Sequence, residues 1–338
     1  MRKVSILVPV YEVERFIERC SRSLFEQSYP SLEFIFVNDC SPDKSIEVLN
    51  NVIEGYPERK DTVKIVDHDK NRGISATRNT GLDHSSGEFV IFVDSDDWLD
   101  LHAIELLVKK QSENDADIVS GNRIIHYEDK EEFFPEREYK DNEQMTLQMM
   151  QHSLDHFVAG RLFRKSLFTD NGLRWNEGYD IAEDRYMMTL LAYHTKVYDT
   201  VDSVIYHYER GNVNSVTKTK DGRKLIRNHK QECGNLLFLE QFFKDKEPVY
   251  QQECSRCIME QLEYYKKAAI TFFFKDEFYR VVNIIDSRSE TDLKLIGWKK
   301  RGVKGWLMHR FEFGVLDRYI NRGIRFIRKK VKAFSRHK

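Results

Sequence analysis

Cysteine is scarce in this sequence, and its scarcity excludes one class of protein. Five cysteines occur among 338 residues, an odd number scattered along the chain. Such a set builds no disulfide framework, which excludes the small, cross-linked secreted domains. Cys254 and Cys257 form one CxxC in a helix-like stretch, without a second pair. We therefore interpret these two cysteines as structural rather than as zinc ligands or a redox pair.

A long apolar segment is also missing. The first apolar run, VSILVPV from residue 4, is too short to span a bilayer, and it does not resemble a signal peptide. We therefore expect a reducing, cytoplasmic setting. The sequence contains neither G-x-G-x-x-G nor G-x-x-x-x-G-K-[ST], and it has no internal repeats or low-complexity segments. The nucleotide-binding classes that depend on those two glycine-rich motifs are thereby excluded.

Net charge is close to zero, at −1, but the charges are unevenly distributed. Residues 294–338 hold 15 of the 54 lysines and arginines and only two acidic residues, Glu312 and Asp317. The preceding 293 residues keep 39 basic and 53 acidic side chains and are acidic overall. The end of the chain and its body therefore differ in charge.

The residues that are present suit a globular α/β protein. Hydrophobic residues make up 41% of the sequence and aromatic residues 12%, enough for a sizeable core. Up to about residue 125, short apolar runs alternate with segments of helical periodicity, which predicts βαβ units and a doubly wound sheet. The predicted strands cover 3–11, 32–39, 62–69 and 88–93, and the predicted helices cover 13–28, 43–56 and 74–86.

The remainder of the chain has a different pattern. The Glu-rich segment 126–150 is typical of a solvated insertion or lid. Mixed structure returns over 152–217, with a helix predicted over 183–194 and a strand over 202–209. Beyond about residue 222, strand signals largely stop and helical patterns continue. We therefore expect one α/β domain over residues 1–220 and a helical extension with a basic tail over residues 221–338.

Polar residues follow each predicted strand of the first domain, and the most acidic group follows the fourth. In such sheets ligands bind beyond the carboxyl ends of the strands. Asp94 and Asp96 form a D-x-D pair at that place. Two such carboxylates can share Mg²⁺ or Mn²⁺, which in turn can neutralise a substrate diphosphate.

Two other interpretations of this acidic segment remain open. The first is a turn that caps the next helix, with Asp97 or Asp100 as its N-cap. The second is an aspartyl-phosphate phosphatase, in which the first carboxylate of a D-x-D motif is the nucleophile. That motif usually follows the first strand and has Thr or Val two residues after its second Asp. This one follows the fourth strand and has Trp98 at that position.

Six segments, taken in order, resemble the family 2 glycosyltransferases, which have the GT-A fold. They are VSILVPVY, FVNDCSPDKS, NRGISATRNTGL, FVDSDDWL, LFRKSLF and EGYDIAEDRYM, spread over roughly residues 1–217. The resemblance implies a Rossmann-like, doubly wound mixed sheet with an α-helical C-terminal extension. It also implies a nucleotide-sugar donor, most often a UDP-sugar, lying across the strand ends.

The resemblance assigns roles to individual residues. Asp39 would hydrogen-bond the uracil, and Arg78 would line the base and phosphate pocket. Asp94 would reach the ribose or the donor sugar, and Asp96 would bind the cation. The nucleotide-sugar-binding set implied in this way is Pro9, Val10, Tyr11, Asp39, Arg78, Asn79, Asp94, Ser95 and Arg210.

The implied reaction is an inverting attack of an acceptor hydroxyl, on a glycan or a lipid-linked acceptor, at the anomeric carbon of the donor. A hydroxyl is a poor nucleophile near neutral pH, so a carboxylate base should take its proton. Asp184 matches the base position of the family, with Glu183 beside it. Without the resemblance, the same two acids are equally well explained as ordinary first-turn residues of a helix, where they favour its dipole.

Residues 206–218 supply the remaining candidates. His207 is a candidate third metal ligand together with Asp96, since Mn²⁺ tolerates imidazole. Arg210 and Lys218 could fold over the diphosphate as a closing loop. The alternative is a histidine at the edge of the core followed by a solvated loop.

Two residues depart from the family pattern, and both concern the base-binding loop. Cys40 stands where Gly is most frequent, and Pro42 where Thr is usual. A catalytically inactive module of the same fold, which binds nucleotide-sugar or glycan without turnover, is the alternative function.

The basic tail at 318–338 intersperses apolar residues with cations. A basic amphipathic helix of this kind can lie on an anionic membrane, which would suit an enzyme that extends lipid-linked glycans at an inner membrane face. Packing on the acidic body or in an oligomer is the alternative. Charge alone also permits nucleic-acid binding, which no other feature supports.

Overall fold

The computed structural model describes residues 1–151, 156–211, 221–272, 274–289 and 292. The chain divides into two compact units, the first formed by residues 1–219 and 234–254 and the second by residues 220–233 and 255–338. The domain boundary expected at residue 220 remains a prediction. The two later boundaries between the units, after residues 233 and 254, fall inside helices.

Strands and helices alternate in the first unit as the hydrophobic pattern predicts. The strands are β1 (Val4–Val10), β2 (Leu32–Asn38), β3 (Val63–Asp67), β4 (Phe89–Phe92), β5 (Trp98–Leu99), β6 (Ile118–His126), β7 (Glu131–Phe134), β8 (Leu162–Arg164) and β9 (Tyr198–Glu209). The helices between them are α1 (Ile17–Phe25), α2 (Ser45–Glu54), α3 (Ile74–His84), α4 (Ala103–Asn114), α5 (Asn142–Met150), α6 (Ser166–Thr169) and α7 (Glu183–His194).

These nine strands of the described residues form one mixed sheet. Its order is β3-β2-β1-β4-β8-β6-β9-β5, with β7 paired to β6. Strands β1 to β4 are parallel to one another, β8 is antiparallel to both of its neighbours, and β9 is parallel to β6 but antiparallel to β5. The carboxyl ends of β1, β2 and β4 therefore share one edge, and residues that follow these strands meet there.

The core of the first unit lies against the parallel strands. Every residue of β4 is buried, which explains why its sequence is continuously apolar rather than alternating. Helix α1 covers one face with Ile17, Cys20 and Leu24, at helical spacing. Helix α1 begins four residues later than predicted, because Val13 lies in the turn before it. Val13 N donates to Ser45 Oγ, and the Val13 carbonyl accepts from Phe16 N.

The segment 126–150 is not the solvated insertion that its composition suggested. Strand β7 within it is largely exposed, but α5 buries Met145, Met149 and Met150. The carboxylate of Glu136 is also buried, with 2% of its side chain exposed. The buried arginines Arg123 and Arg161 compensate its charge, and for that reason a charged residue can lie in the interior here.

Three long helices complete the described residues: α8 (Gly222–Phe243), α9 (Pro248–Thr271) and α10 (Lys275–Ser287). No strand occurs in the described residues after residue 221, as the sequence predicts. In the second unit, α10 buries Phe278, Val281, Val282 and Ile285 on one face. None of the helices in the described ranges has the length and apolar character needed to cross a bilayer. The basic tail at 318–338 lies outside the described residues.

All five cysteines lie in the described part of the chain, and none of them forms a disulfide bond. Cys254 and Cys257 are both buried, and Cys254 Sγ donates to the Leu236 carbonyl at 3.7 Å. The buried setting agrees with a structural interpretation of the CxxC pair.

Candidate active site

The guanidinium of Arg78 is the centre of the candidate site. Arg78 lies on α3, and only 3% of its side chain is exposed. Its Nη1 donates to Glu183 Oε1 at 3.0 Å and to Asp184 Oδ1, and its Nη2 donates to Asp94 Oδ1 at 3.3 Å. Four of the predicted site residues, drawn from three separate segments, are therefore in direct contact.

The charges of these four residues are strongly coupled. Burial lowers the pKa of Arg78, but the charges of Asp184, Asp94 and Glu183 raise it by more, so the guanidinium stays protonated. Burial raises the pKa of Glu183, and repulsion from Asp184 raises it further. Burial likewise raises the pKa of Asp184, against the attraction of Arg78. The acid pair therefore retains a proton to higher pH than ordinary carboxyl groups do.

The loop that leads into α7 holds this acid pair in place. Ala182, the N-cap residue of α7, has a left-handed backbone with φ of +56°. This conformation costs free energy for residues other than glycine. Asn235 Nδ2 donates to the Ile181 carbonyl at 3.0 Å, and Ser75 N donates to Asp180 Oδ1 at 3.1 Å. The orientation of Asp184 is thus set from α3 and α8 together.

Gly73 allows the close approach of α3 to this loop. It has a φ of +87°, and a Cβ atom at this position would lie 2.3 Å from the Asp180 carboxylate. Both the backbone conformation and the close packing therefore require glycine at this position. At Gly81 a Cβ atom would make only an ordinary contact with Leu7, at 3.4 Å.

Asp39, the residue expected to bind uracil, follows β2 and is almost fully buried. Its carboxylate accepts hydrogen bonds from Arg72 N and Gly73 N, both at 2.8 Å, and pairs with His68 Nδ1 at 2.7 Å. It therefore fixes the start of α3 against the strand ends. Cys40 beside it has a φ of +57°, a backbone conformation that favours the glycine usual in the family.

The other predicted nucleotide-binding residues lie in different settings. Tyr11, directly after β1, is 40% exposed, and Val10 within β1 is buried, as is Ser95. Pro9 pairs with Val37 in the sheet. Asn79 uses both ends of its amide on the backbone of Trp175, at 2.9 and 3.0 Å, so it ties α3 to the loop that follows α6.

Arg210 and His207 lie at the far end of β9. Arg210 N donates to the His126 carbonyl, and its guanidinium lies over the rings of Tyr127 and Tyr208. The His207 ring stacks on Trp98, with ring centroids 4.9 Å apart, and its Nδ1 lies 3.0 Å from His126 Nε2. Burial and the neighbouring His126 lower the pKa of His207, which favours the neutral ring.

The acidic loop, residues 94–98, is held by groups that the sequence did not identify. Asp97 is fully buried and accepts hydrogen bonds from the Tyr206 hydroxyl at 2.6 Å and from Glu209 N at 2.8 Å. Arg19 of α1 donates to the Asp96 carbonyl at 3.0 Å and lies 3.6 Å over the Trp98 ring. One local sign of this role of Asp97 is present in the sequence: Asp97 is the third acid of DSDD and does not belong to the D-x-D pair.

The capping interpretation of this loop holds for Asp100 but not for Asp97. Helix α4 starts at Ala103 after His102, and in the turn before it Asp100 Oδ1 accepts a hydrogen bond from His102 N at 3.3 Å. Asp97 is directed into the interior instead. Burial raises the pKa of Asp97, and the neighbouring charges of Asp96 and Asp94 raise it further.

Carboxylate oxygens of this kind fit a hard divalent cation. Asp94 and Asp96 supply the oxygen donors that Mg²⁺ and Mn²⁺ prefer, and their repulsion would be relieved by such an ion. Within the described residues, no group of three or more His, Cys, Asp or Glu side chains is arranged to hold a metal. Two carboxylates leave open positions on a divalent cation, which water or substrate oxygens can fill.

Comparisons with known proteins bear on the family and the fold of this chain. Residues 5–172 match the model of the family described as glycosyl transferase family 2. The chain is 32% identical over 223 residues to an uncharacterized glycosyltransferase, EpsJ, of Bacillus subtilis, covering 64% of this chain and 63% of that protein. It is 34% identical over 217 residues to the glycosyltransferase GlyA of Streptococcus pneumoniae, covering 60% and 29%. The chain thus spans less than two thirds of these relatives.

Solved structures show the same fold at low sequence identity. The structure of residues 1–349 of Staphylococcus aureus TarS in complex with UDP-GlcNAc has a TM-score of 0.55 at 17% identity, covering 88% of this chain and 93% of that one. The mannosyltransferase PcManGT of Pyrobaculum calidifontis, in complex with GDP-Man and Mn²⁺, has a TM-score of 0.51 at 17% identity, covering 94% and 86%. Together with the mixed sheet, these likenesses confirm the predicted GT-A fold, and the family match places this chain in glycosyl transferase family 2.

Proposed function

We propose that this chain transfers a hexosyl or N-acetylhexosaminyl group from a nucleotide-sugar, with UDP as the nucleotide, to a hydroxyl of a glycan or lipid-linked acceptor. The observation that carries the proposal is the shared contact of Arg78 with Asp94, Glu183 and Asp184. It joins the predicted donor side of the site to the predicted base across one buried guanidinium.

In the proposed reaction, Asp184 takes the proton of the acceptor hydroxyl as the oxygen attacks the anomeric carbon. The bond from that carbon to the donor diphosphate breaks, and the nucleoside diphosphate leaves with the bonding electrons. Attack opposite the leaving group inverts the anomeric centre. Arg78 keeps Asp184 oriented and partly compensates the negative charge of the site.

Asp96 is the residue proposed to hold the divalent cation, Mn²⁺ or Mg²⁺. Asp94, the other carboxylate of the D-x-D pair, can share the cation and is proposed to reach the ribose or the donor sugar. When bound, the cation would neutralise charge that develops on the leaving diphosphate. The proposal of His207 as a further ligand requires its Nε2 atom, because Nδ1 faces His126. Arg210 remains a proposed diphosphate contact.

A thermal-shift panel tests the donor class. The panel comprises UDP, GDP, CDP and several UDP-sugars, each with Mn²⁺ and with a chelator. A ligand at about 100 times its dissociation constant adds about 2.7 kcal/mol to the free energy of unfolding. For a chain of 338 residues, this raises the melting temperature by roughly 4 °C. We expect a Mn²⁺-dependent shift with UDP; a larger shift with GDP would reassign the nucleotide.

Replacement of Asp184 tests the chemistry and separates an enzyme from a binding module. Asp184→Asn retains the side-chain volume but removes the base. We expect transfer to fall by at least about 100-fold, the usual contribution of a general base, while UDP still raises the melting temperature. Loss of transfer and of UDP binding together would contradict the assignment of Asp184 as base. A wild-type chain that binds UDP but turns over no acceptor would favour the inactive module.

A further inference from the structure

One buried hydroxyl connects both ends of the acidic loop to strand β9. The Tyr206 hydroxyl donates to Asp97 Oδ2 at 2.6 Å and accepts a hydrogen bond from Asp94 N at 3.2 Å. The second carboxylate oxygen of Asp97 accepts from Glu209 N at 2.8 Å. Since Asp97 is fully buried and Tyr206 is 3% exposed, neither side chain is accessible to a ligand.

The position of the Tyr206 ring is itself fixed by the backbone. Gly160 has a φ of +78°, and a Cβ atom there would lie 2.6 Å from the ring. Gly160 N donates to the carbonyl of Phe92, the last residue of β4, at 2.9 Å. The hydroxyl is therefore held relative to the strand from which the acidic loop departs.

Stability does not account for this arrangement. A carboxylate buried beside two others costs free energy, and an apolar side chain of similar size would avoid that cost. What the bonds achieve is a fixed backbone at Asp94, and hence fixed directions for the side chains that follow it.

We propose that Tyr206 and Asp97 are positioning residues, which hold the acidic loop so that Asp94 and Asp96 together bind the cation and diphosphate of the donor. The inference rests on the proposed function, because it assigns the donor diphosphate to this loop. It adds two buried residues that contact neither the donor nor the acceptor. They set the affinity with which Asp94 and Asp96 bind the donor.

The test compares two tyrosine variants of the same strand. Tyr206→Phe removes one oxygen and keeps the ring over Gly160. The matched control is Tyr198→Phe, because the Tyr198 hydroxyl also donates to a buried acid, Glu136 Oε1 at 3.0 Å, but does not contact the acidic loop. Amide hydrogen exchange of the peptide over residues 93–99 is measured on the full chain without ligand. The affinity for UDP in the presence of Mn²⁺ is measured by calorimetry.

We expect Tyr206→Phe to accelerate exchange in the loop and to weaken UDP binding by about tenfold, the size of one lost buried hydrogen bond. Tyr198→Phe should lower the melting temperature comparably and leave both measurements unchanged. Unchanged exchange in Tyr206→Phe, faster exchange with unchanged affinity, or equal effects in both variants would overturn the inference. If the wild-type chain bound no nucleoside diphosphate, the proposed donor would be wrong, whereas the exchange experiment would still decide whether Tyr206 anchors the loop.

Discussion

Three carboxylates share one guanidinium at the candidate site, and this excess of negative charge affects how Glu183 and Asp184 titrate. Arg78 carries one positive charge, whereas Asp94, Glu183 and Asp184 together can carry three negative charges. Burial and this excess raise the pKa of Glu183 and of Asp184. A base is active only after it loses its proton. The rate of transfer should therefore increase as the pH rises through the raised pKa of Asp184.

Replacement of Glu183 tests which acid of the pair holds the proton. The charge of Asp184 raises the pKa of Glu183, so Asp184 loses its proton first, while Glu183 is still neutral. Glu183→Gln then removes a group that is uncharged when Asp184 titrates, and we expect the acidic limb of the kcat profile, measured with saturating donor between pH 5 and 9, to keep its position. Glu177→Gln is the control, because Glu177 lies on the same loop but pairs with the exposed Arg72. A limb that moves to lower pH in Glu183→Gln alone would show that Glu183 is charged when Asp184 titrates.

The left-handed backbone at Cys40 predicts a stabilising substitution. With a φ of +57°, a residue that has a Cβ atom loses about 1 kcal/mol relative to glycine, partly offset by the greater entropy of glycine in the unfolded chain. We expect Cys40→Gly to raise the free energy of unfolding by about 0.5 kcal/mol, measured by urea denaturation. Cys40→Ala, which keeps the Cβ atom, should give no such gain. Equal stability of the two variants would refute the strain argument.

At the residue scale, a sequence yields candidates where a motif lies within one segment. Asp94, Arg78, Glu183 and Asp184 are such candidates, and the structure places their side chains in contact, while their roles remain predictions. The Asp97–Tyr206 pair has no such motif, since 109 residues separate its members. Their contact depends on the pairing of β5 with β9, which no local pattern specifies.

Among the helices and strands, the predictable ones are those whose hydrophobic residues recur with a clear period. Strands β1 to β4 were predicted from short, largely apolar segments, and α7 was predicted with its observed bounds, 183–194. Strand β6 was not predicted, because it buries the polar residues Asn122 and Arg123 and so lacks an apolar pattern. Composition also misled at 126–150, where a buried ion cluster compensates the charge of Glu136.

That cluster predicts a large loss of stability when its acid is removed. The carboxylate of Glu136 accepts hydrogen bonds from Arg123, Arg161, Ser120 and Tyr198. Glu136→Gln leaves two buried guanidinium groups without their counter-charge, and we expect a loss of about 3–5 kcal/mol in the free energy of unfolding. Glu138→Gln, at an exposed position two residues on, should change stability by less than about 0.5 kcal/mol. A small effect of Glu136→Gln, measured by urea denaturation, would mean that water solvates the cluster.

For the whole molecule, the uneven distribution of charge predicts attraction to a surface. The 15 basic residues of 294–338 follow a body with 53 acidic and 39 basic ones. We expect deletion of residues 318–338 to release the chain from anionic liposomes in a co-sedimentation assay, since each cation near such a surface contributes about 1 kcal/mol. Neutral liposomes serve as the control. Unchanged co-sedimentation after the deletion would contradict a role of the tail in membrane binding.

The distance along the chain between partners at the site has a consequence for biosynthesis. Arg78 and Asp184 are 106 residues apart, and Asp97 and Tyr206 are 109 apart. At a translation rate of about 5–20 residues per second, the donor half of the site leaves the ribosome roughly 5–20 s before its partners. During this interval Asp97 lacks its hydrogen-bond donor, the Tyr206 hydroxyl. A nascent chain therefore cannot assemble the site until β9 has been synthesised.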